Sequence, residues 1–422
     1  MQRDAVGYFL RAVNPDNGLI ADSSRPGAPC SIAATGLGLA ALVVGAARGH
    51  LPRDQAAALT LAALRFFRHS PQGEERDATG HRGFYYHFLD LATGRRIWDC
   101  ELSMIDTAIL IAGVLTSGRY FSAATDDERE IRQLSGYLYE RVDWPWALEG
   151  GRVLSMGWKP GVGFLDYGWA GYSEALLLYL LGLGSPTHPL PTASYDAFTA
   201  SYHWENLYDL DFLFAAPLFV HQLSHLWIDF RGIQDAFMRE KRSDYFENSR
   251  RATLVQQRYA MRNPKWFEGY GENCWGVTAG PGPGFCKHRA AGGVERQFYG
   301  YVARGVPFGP DDGTLAPWAA VASLPFAPEV VLPALAHFRN TYPQVVSDEG
   351  LLTSFNPSFD SGDGTPAGWL CGEHFGLDQG PLVLMIENHR SGLPWALMRE
   401  CPAIVTGLRR AGFRRGWLRA SG

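Results

Sequence analysis

SIAATGLGLAALVVGAARGHLPRDQAAALTLAALRFFRHS, Ser31 to Ser70, contains the pattern that organises the whole chain. Ser31 to Ala47 is apolar on every face, and a helix of that kind must be buried all round. It is rich in Ala and Gly and falls short of the roughly 20 residues that a membrane span needs. After a short turn, the segment from Leu51 places Leu59, Ala63, Phe66 and Phe67 on one face of an amphipathic helix. Such a stripe suits an outer helix packed on an inner one.

The same pairing returns along the chain. LSMIDTAILIAGVLTSGRYF is apolar, and TDDEREIRQLSGYLYERVDW is its amphipathic partner. DYGWAGYSEALLLYLLGLG, Asp166 to Gly184, supplies the third apolar helix. FAAPLFVHQLSHLWIDF is read as the fourth, with SDYFENSRRATLVQQRYAMRN outside it. TLAPWAAVASLPF pairs with PEVVLPALAHFRNTY, and GLDQGPLVLMIENHRSG with LPWALMRECPAIVTGLRRAGF. A short helix, Met1 to Val13, and the polar loop NPDNGLIADSSRPGAP precede them, while GFYYHFLDLATGRRIWDCE reads as a small β-hairpin and VLSMGWKPGVGFLDYGW as a hairpin or loop. Alternating buried and half-exposed helices, joined by short turns on one side and long aromatic loops on the other, predict an all-α (α/α)6 barrel with small β-hairpins in its cleft-side loops. An open α-solenoid is the rival, but no fixed repeat length supports it.

The chain has 422 residues, 46% hydrophobic and 19% charged, which is globular composition with a large core. No stretch of linker composition divides it, so residues 1–422 are read as one catalytic domain. A net charge of -5 argues against a nucleic-acid surface. The basic run Arg409 to Arg419 has helical spacing and reads as a solvated last helix. Six dispersed cysteines without a C-x-x-C pair suggest neither a zinc knuckle nor a disulfide scaffold. No export signal is recognised, no membrane span is expected, and the chain is expected to act as a monomer without cofactor or metal.

In such a barrel the inner helices begin at one end, so their first residues and the preceding loops converge. Carboxylates recur there: Asp99, Glu101 and Asp106 around the second inner helix, Glu174 at the third, Glu272 in GYGENCWG, Asp311 and Asp312 in PFGPDDGTLAP, and Glu373 and Asp378 at the last. Aromatic residues stand beside them, and sugar rings stack on Trp and Tyr while their hydroxyls need carboxylates. Glu174, just behind Tyr167, Trp169 and Tyr172, has both kinds of neighbour. Taken alone it is an ordinary acid at a helix N-terminus. Paired carboxylates suit glycosidic cleavage, one protonating the leaving oxygen and the other activating water or attacking the sugar. His221, His225 and Asp229 recur every four residues in HQLSHLWID, a spacing that can present imidazoles to a metal, although H-E-x-x-H is absent. A polar stripe lining the pocket, with Arg231 nearby, is the preferred reading. GPGPG, Gly280 to Gly284, lacks the Lys-Ser or Lys-Thr of a phosphate loop and is read as a mobile loop near the cleft mouth.

The segments WDCELSMIDTAILIAG, RVDWPWAL, LSMGWKP, GYSEALLLYLLGLGSPTHPLP, LFVHQLSHLWIDFRGIQD, YFENSRRATLVQQRYA, GYGENCWGVTA, PFGPDDGTLAPWAAVASLPFAPE and GLDQGPLVLMIENHRSG run in order from about Arg82 to Phe413. In these the chain resembles the glucoamylase-type family that includes glycoside hydrolase family 144, the bacterial β-1,2-glucanases, and the transglycosylating domain of cyclic β-1,2-glucan synthases. The resemblance implies an (α/α)6 barrel acting on β-1,2-glucan or its oligosaccharides with inversion, by endo attack or by exo release of sophorose. It also implies a periplasmic location.

The resemblance makes Glu174 the general acid and leaves Glu101, Asp106 and Asp378 as candidates for the second carboxylate. Trp98, Trp158, Trp169 and Trp275 are expected to hold glucosyl units. Asp99, Tyr172, His221, Arg231, Glu272, Asp311, Asp312 and Gln379 are expected to complete the substrate site. One departure from the family is Ala279-Gly280-Pro281 in place of an Asp-Gly-Pro, followed by an extra GPGFCKHRAAGG segment. The alternatives are a transglycosylase, a sugar 2-epimerase relying on His221 and His225, and a non-catalytic glycan-binding protein.

Overall fold

The computed structural model describes residues 1–290, 293–347, 349–362 and 364–418. Arg419 of the basic run, and Ala291 and Gly292 of the extra loop segment, lie outside the described residues. Helix is the main regular structure of the chain. α1 (Gln2–Ala12) leads into α2 (Ile32–Ala47) with α3 (Arg53–His69), α4 (Met104–Tyr120) with α5 (Asp126–Glu140), and α6 (Ala175–Gly184) with α7 (Thr192–Thr199). Two 3-10 turns, Leu218–His221 and Leu223–Leu226, come next, followed by α8 (Ala236–Glu240) and α9 (Tyr245–Arg262). Then come α10 (Pro317–Ala322), α11 (Pro328–Thr341), α12 (Gly376–Arg390), α13 (Leu393–Arg399) and α14 (Pro402–Arg410).

The apolar helices are the inner ones. α6 and α10 are buried along their whole length, and α2, α4 and α12 along most of theirs. α2 packs on α4, α4 on α6, α6 on the second 3-10 turn, that turn on α12, α10 on α12, and α12 back on α2. Gln222, between the two turns, ties them to α10 by donating to the Ala319 carbonyl and the Ser323 hydroxyl. The α2–α4 crossing is so close that a Cβ at Gly113 would lie 1.9 Å from the Gly36 carbonyl oxygen. Glycine is required there by space rather than by φ. Among the described residues no helix is long and apolar enough to cross a membrane.

The cleft-side loops depart from the expected separate hairpins. The strands Gly80–His81, Phe84–Tyr86, Leu102–Ser103, Gly157–Lys159 and Gly163–Phe164 form one antiparallel five-stranded sheet, joined where Leu102 pairs with Trp158. A second departure concerns HQLSHLWID, which is not a helix but the two 3-10 turns and an irregular continuation. The backbone carbonyls released there are taken by tertiary donors: Asn388 Nδ2 binds the Leu226 carbonyl at 3.0 Å and Trp395 Nε1 binds that of His225 at 2.7 Å. Those bonds replace the ladder that a helix would have supplied. The last outer segment also divides, α13 from α14, at Pro402.

Candidate active site

Three inner elements each deliver one carboxylate to the same cavity. Ser103 caps α4, accepting the Asp106 amide at 3.3 Å, and its hydroxyl donates to Asp106 Oδ2 at 2.5 Å. The S-x-x-D spacing thus fixes the acid as well as the helix start. Glu174 stands immediately before α6, where the Ser224 hydroxyl donates to its carbonyl at 3.3 Å and accepts the Leu177 amide at 3.2 Å. Asp378 lies in the first turn of α12. Together with Ile105, Phe219, Tyr301 and Trp318 they line one cavity of about 170 Å³ that opens to solvent.

Burial and mutual charge set the protonation of these groups. Glu174 keeps part of its surface open to the cavity, but protein crowds it on the other sides. That desolvation, with the charge of Asp106, pushes its pKa up to about 7. Asp378 is pushed up to about 8 by burial, and its Oδ2 has no hydrogen-bond partner among the described residues. Asp22, from the loop after α1, is raised to about 6 by burial, against the opposing pull of His87. That loop is clasped to α12: the Gly376 amide donates to the Asp22 carbonyl and the Ser24 amide to the His374 carbonyl, both at 2.9 Å. Burial, together with the charges of Asp378, Asp22, Asp106 and Glu174, pushes the Tyr301 hydroxyl up to about 12.

Glu101 is set behind this group rather than in the cavity lining. Its Oε1 lies 2.8 Å from His87 Nδ1, and His87 Nε2 lies 3.6 Å from Asp106 Oδ2. Burial disfavours the imidazolium, but Asp106 and hydrogen-bonded Glu101 outweigh it and raise His87 to about 9.

The remaining expected site residues are not brought to the cavity lining. Trp98 is 69% exposed and packs on Phe88, and its neighbour Asp99 is an exposed partner of Arg96. Trp158 is buried against His81 and Trp146. Trp169 gives its carbonyl to the Tyr179 hydroxyl, and Tyr172 packs against His221 and Tyr245. Glu272 is exposed, whereas Trp275 is wholly buried in the core and has no face to offer a sugar. Asp311 accepts from the hydroxyls of Tyr259 and Tyr270, and Asp312 forms a buried ion pair with Arg304. Gln379 is buried and donates to the Leu351 carbonyl.

The spacing of His221, His225 and Asp229 does not make one polar stripe. His221 bonds the Ala215 carbonyl and His225 the Ser249 hydroxyl, and burial lowers both, to about 4 and about 3. Asp229 is buried and pairs with Arg231 and Arg399. Among the described residues no group of three or more His, Cys, Asp or Glu side chains is arranged to hold a metal ion. Asp22, His87 and Tyr301 were not expected at the site. Tyr301 follows the extra loop segment and was discoverable from that; Asp22 and His87 carry no motif.

Residues 166–402 match the family model described as "Glycoamylase: Putative glucoamylase". The chain is similar, at 27% identity over 440 residues, to an exo beta-1,2-glucooligosaccharide sophorohydrolase (non-reducing end) of Parabacteroides distasonis, covering 96% of this chain and 56% of that protein. It therefore spans about half the length of that curated relative. A solved structure from Bacteroides uniformis with the same glucoamylase description has 29% identity and a TM-score of 0.87, over 99% of this chain and 97% of that one. The endo-beta-1,2-glucanase of Chitinophaga pinensis, solved with sophorotriose and glucose, has 26% identity and a TM-score of 0.85, over 99% and 97% of the two chains. Because the family match takes in more than half of the sequence and includes the whole segment that delivers Glu174 and Asp378, the chain belongs to this glucoamylase-type family.

Proposed function

We propose that this protein is a glycoside hydrolase that cleaves β-1,2-glucan or β-1,2-gluco-oligosaccharides by paired-carboxylate catalysis with inversion, in a single (α/α)6-barrel domain. The closed circuit of inner helices supports the barrel. The observation that carries the chemistry is the meeting of Glu174, Asp106 and Asp378, from three separate inner helices, around one cavity. Glu174, raised to about 7, still holds a proton near neutral pH and is suited to protonate the leaving oxygen. Asp106 and Asp378 are the candidates for the carboxylate that activates water. The relatives named as acting on β-1,2-linked substrates supply the substrate class.

The test is incubation with β-1,2-, β-1,3-, β-1,4- and α-1,4-glucans, with products separated by chromatography and the first anomer assigned by NMR. Shorter saccharides are expected from the β-1,2-glucan, with inverted configuration. Glu174→Gln is expected to lower turnover by about 10²- to 10⁴-fold with binding retained. The rate of the unaltered protein, as kcat/KM, is expected to fall as pH rises through about 7, where Glu174 loses its proton. Binding of β-1,2-glucan without any shorter product would sink the hydrolytic reading.

A further inference from the structure

His87 reaches the site from the strand side, with its backbone held at both ends. Its amide donates to the Glu101 carbonyl at 3.0 Å, and its carbonyl accepts the Ile32 amide at 3.3 Å. The ring stacks on Phe88, with centroids 4.0 Å apart and planes 15° from parallel. One ring nitrogen is 2.8 Å from Glu101 and the other 3.6 Å from Asp106. A neutral imidazole has one N–H and can donate to only one of two carboxylates, so a ring between two of them is satisfied as the imidazolium. The charges acting on it are Glu101, Asp106 from α4 and Asp22 from the loop after α1, and Lys159 acts on Glu101.

Asp378 has the opposite surroundings. Among the described residues its Oδ2 is unpartnered, the side chains acting on it are Thr353 and the acid Asp22, and no cation stands among them. Two acids of one cavity thus have different surroundings: Asp106 beside an imidazole and a serine hydroxyl, Asp378 buried with one oxygen unpartnered among the described residues. An acid held by fixed partners is the better placed of the two to orient an attacking water.

We propose that His87 is the positioning residue that holds Asp106 as the water-activating carboxylate, with Glu101 orienting the imidazole from its far side. The assignment rests on the hydrolytic reading above. Water attacks the anomeric carbon as the bond to the leaving oxygen breaks; Asp106 takes the water's proton and Glu174 gives its own to the leaving oxygen. His87 transfers nothing. Asp378 remains protonated and donates a hydrogen bond to the bound sugar.

The experiment measures kcat and KM on β-1,2-glucan as functions of pH for the full chain and for His87→Gln, Glu101→Gln, Asp106→Asn and Glu174→Gln. His87→Gln is expected to lower kcat by up to about 100-fold with little change in KM. Glu101→Gln should lower kcat in the same way by less, and decides alone should His87→Gln fail to fold. A merely structural role for His87 would raise KM and lower the melting temperature together with kcat. That outcome, unchanged kcat in both variants, or turnover retained by Asp106→Asn, would overturn the proposal. With Glu174→Gln inactive, such a result removes only the role given to His87; full activity of Glu174→Gln removes the hydrolytic reading itself.

Discussion

A buried carboxyl that keeps its proton near neutrality works against the fold, and Asp378 is such a group. Its folded pKa of about 8 lies above the ordinary carboxyl value, so its contribution favours the folded state at low pH and is lost as pH rises through about 8. Asp378→Asn keeps the shape without the charge. We expect it to unfold at higher temperature than the unaltered protein at pH 9, with the difference shrinking towards pH 5, while turnover falls. Equal melting temperatures at pH 9 would contradict the assigned burial. At this scale Glu174 was legible as a candidate cavity acid, because an acid before an apolar helix and behind three aromatic residues is a recognisable local pattern. It could not separate Trp275 from a sugar platform, since a tryptophan between cysteine and glycine reads alike whether it faces the core or a cleft. Asp22 and His87 were illegible for another reason: each acquires its role only from carboxylates that the fold brings from elsewhere in the chain.

Helix pairing was the most legible feature of the elements, since α2, α4 and α6 are apolar on all sides and their neighbours on one side only. What composition did not reveal is how near two inner helices come. Gly113→Ala must push a methyl group into the Gly36 carbonyl, where backbone rather than a flexible side chain receives it. Overpacking of this kind costs about 1–3 kcal/mol, and relief by helix separation would also displace Asp106 on α4. The expected outcome is a lower urea midpoint together with reduced activity; an unchanged midpoint would mean that the crossing is looser than described. The misread element was HQLSHLWID, where a four-residue spacing imitates a helix. There the deciding groups were Asn388 and Trp395, which lie more than 160 positions away and bind the carbonyls that a helix would have used.

Across the molecule, the alternation of inner and outer helices was legible, but the joining of the loops was not, because short strands pair through contacts that no local pattern records. The two hairpins merge into one sheet, and the segment around the extra loop is fastened by one ion pair. Arg304 is fully buried, donates twice to Asp312 and also binds the carbonyls of Gly280, Tyr299 and Gly300. Arg304→Met leaves Asp312 buried and unpaired, which costs about 3–5 kcal/mol. Arg304→Met with Asp312→Leu is expected to regain much of that loss, because the stranded charge is removed. Thermal unfolding of the single and double variants checks both statements, and a single variant as stable as the parent would refute the first.

The clasp between the loop after α1 and the start of α12 has a temporal meaning as well. Translation delivers Asp22 long before Asp378, and neither clasp nor cavity exists until both have left the ribosome. A nascent chain halted before α12 holds Glu174 and Asp106 without Asp378, so the cavity that the three acids share is completed only when α12 emerges and docks.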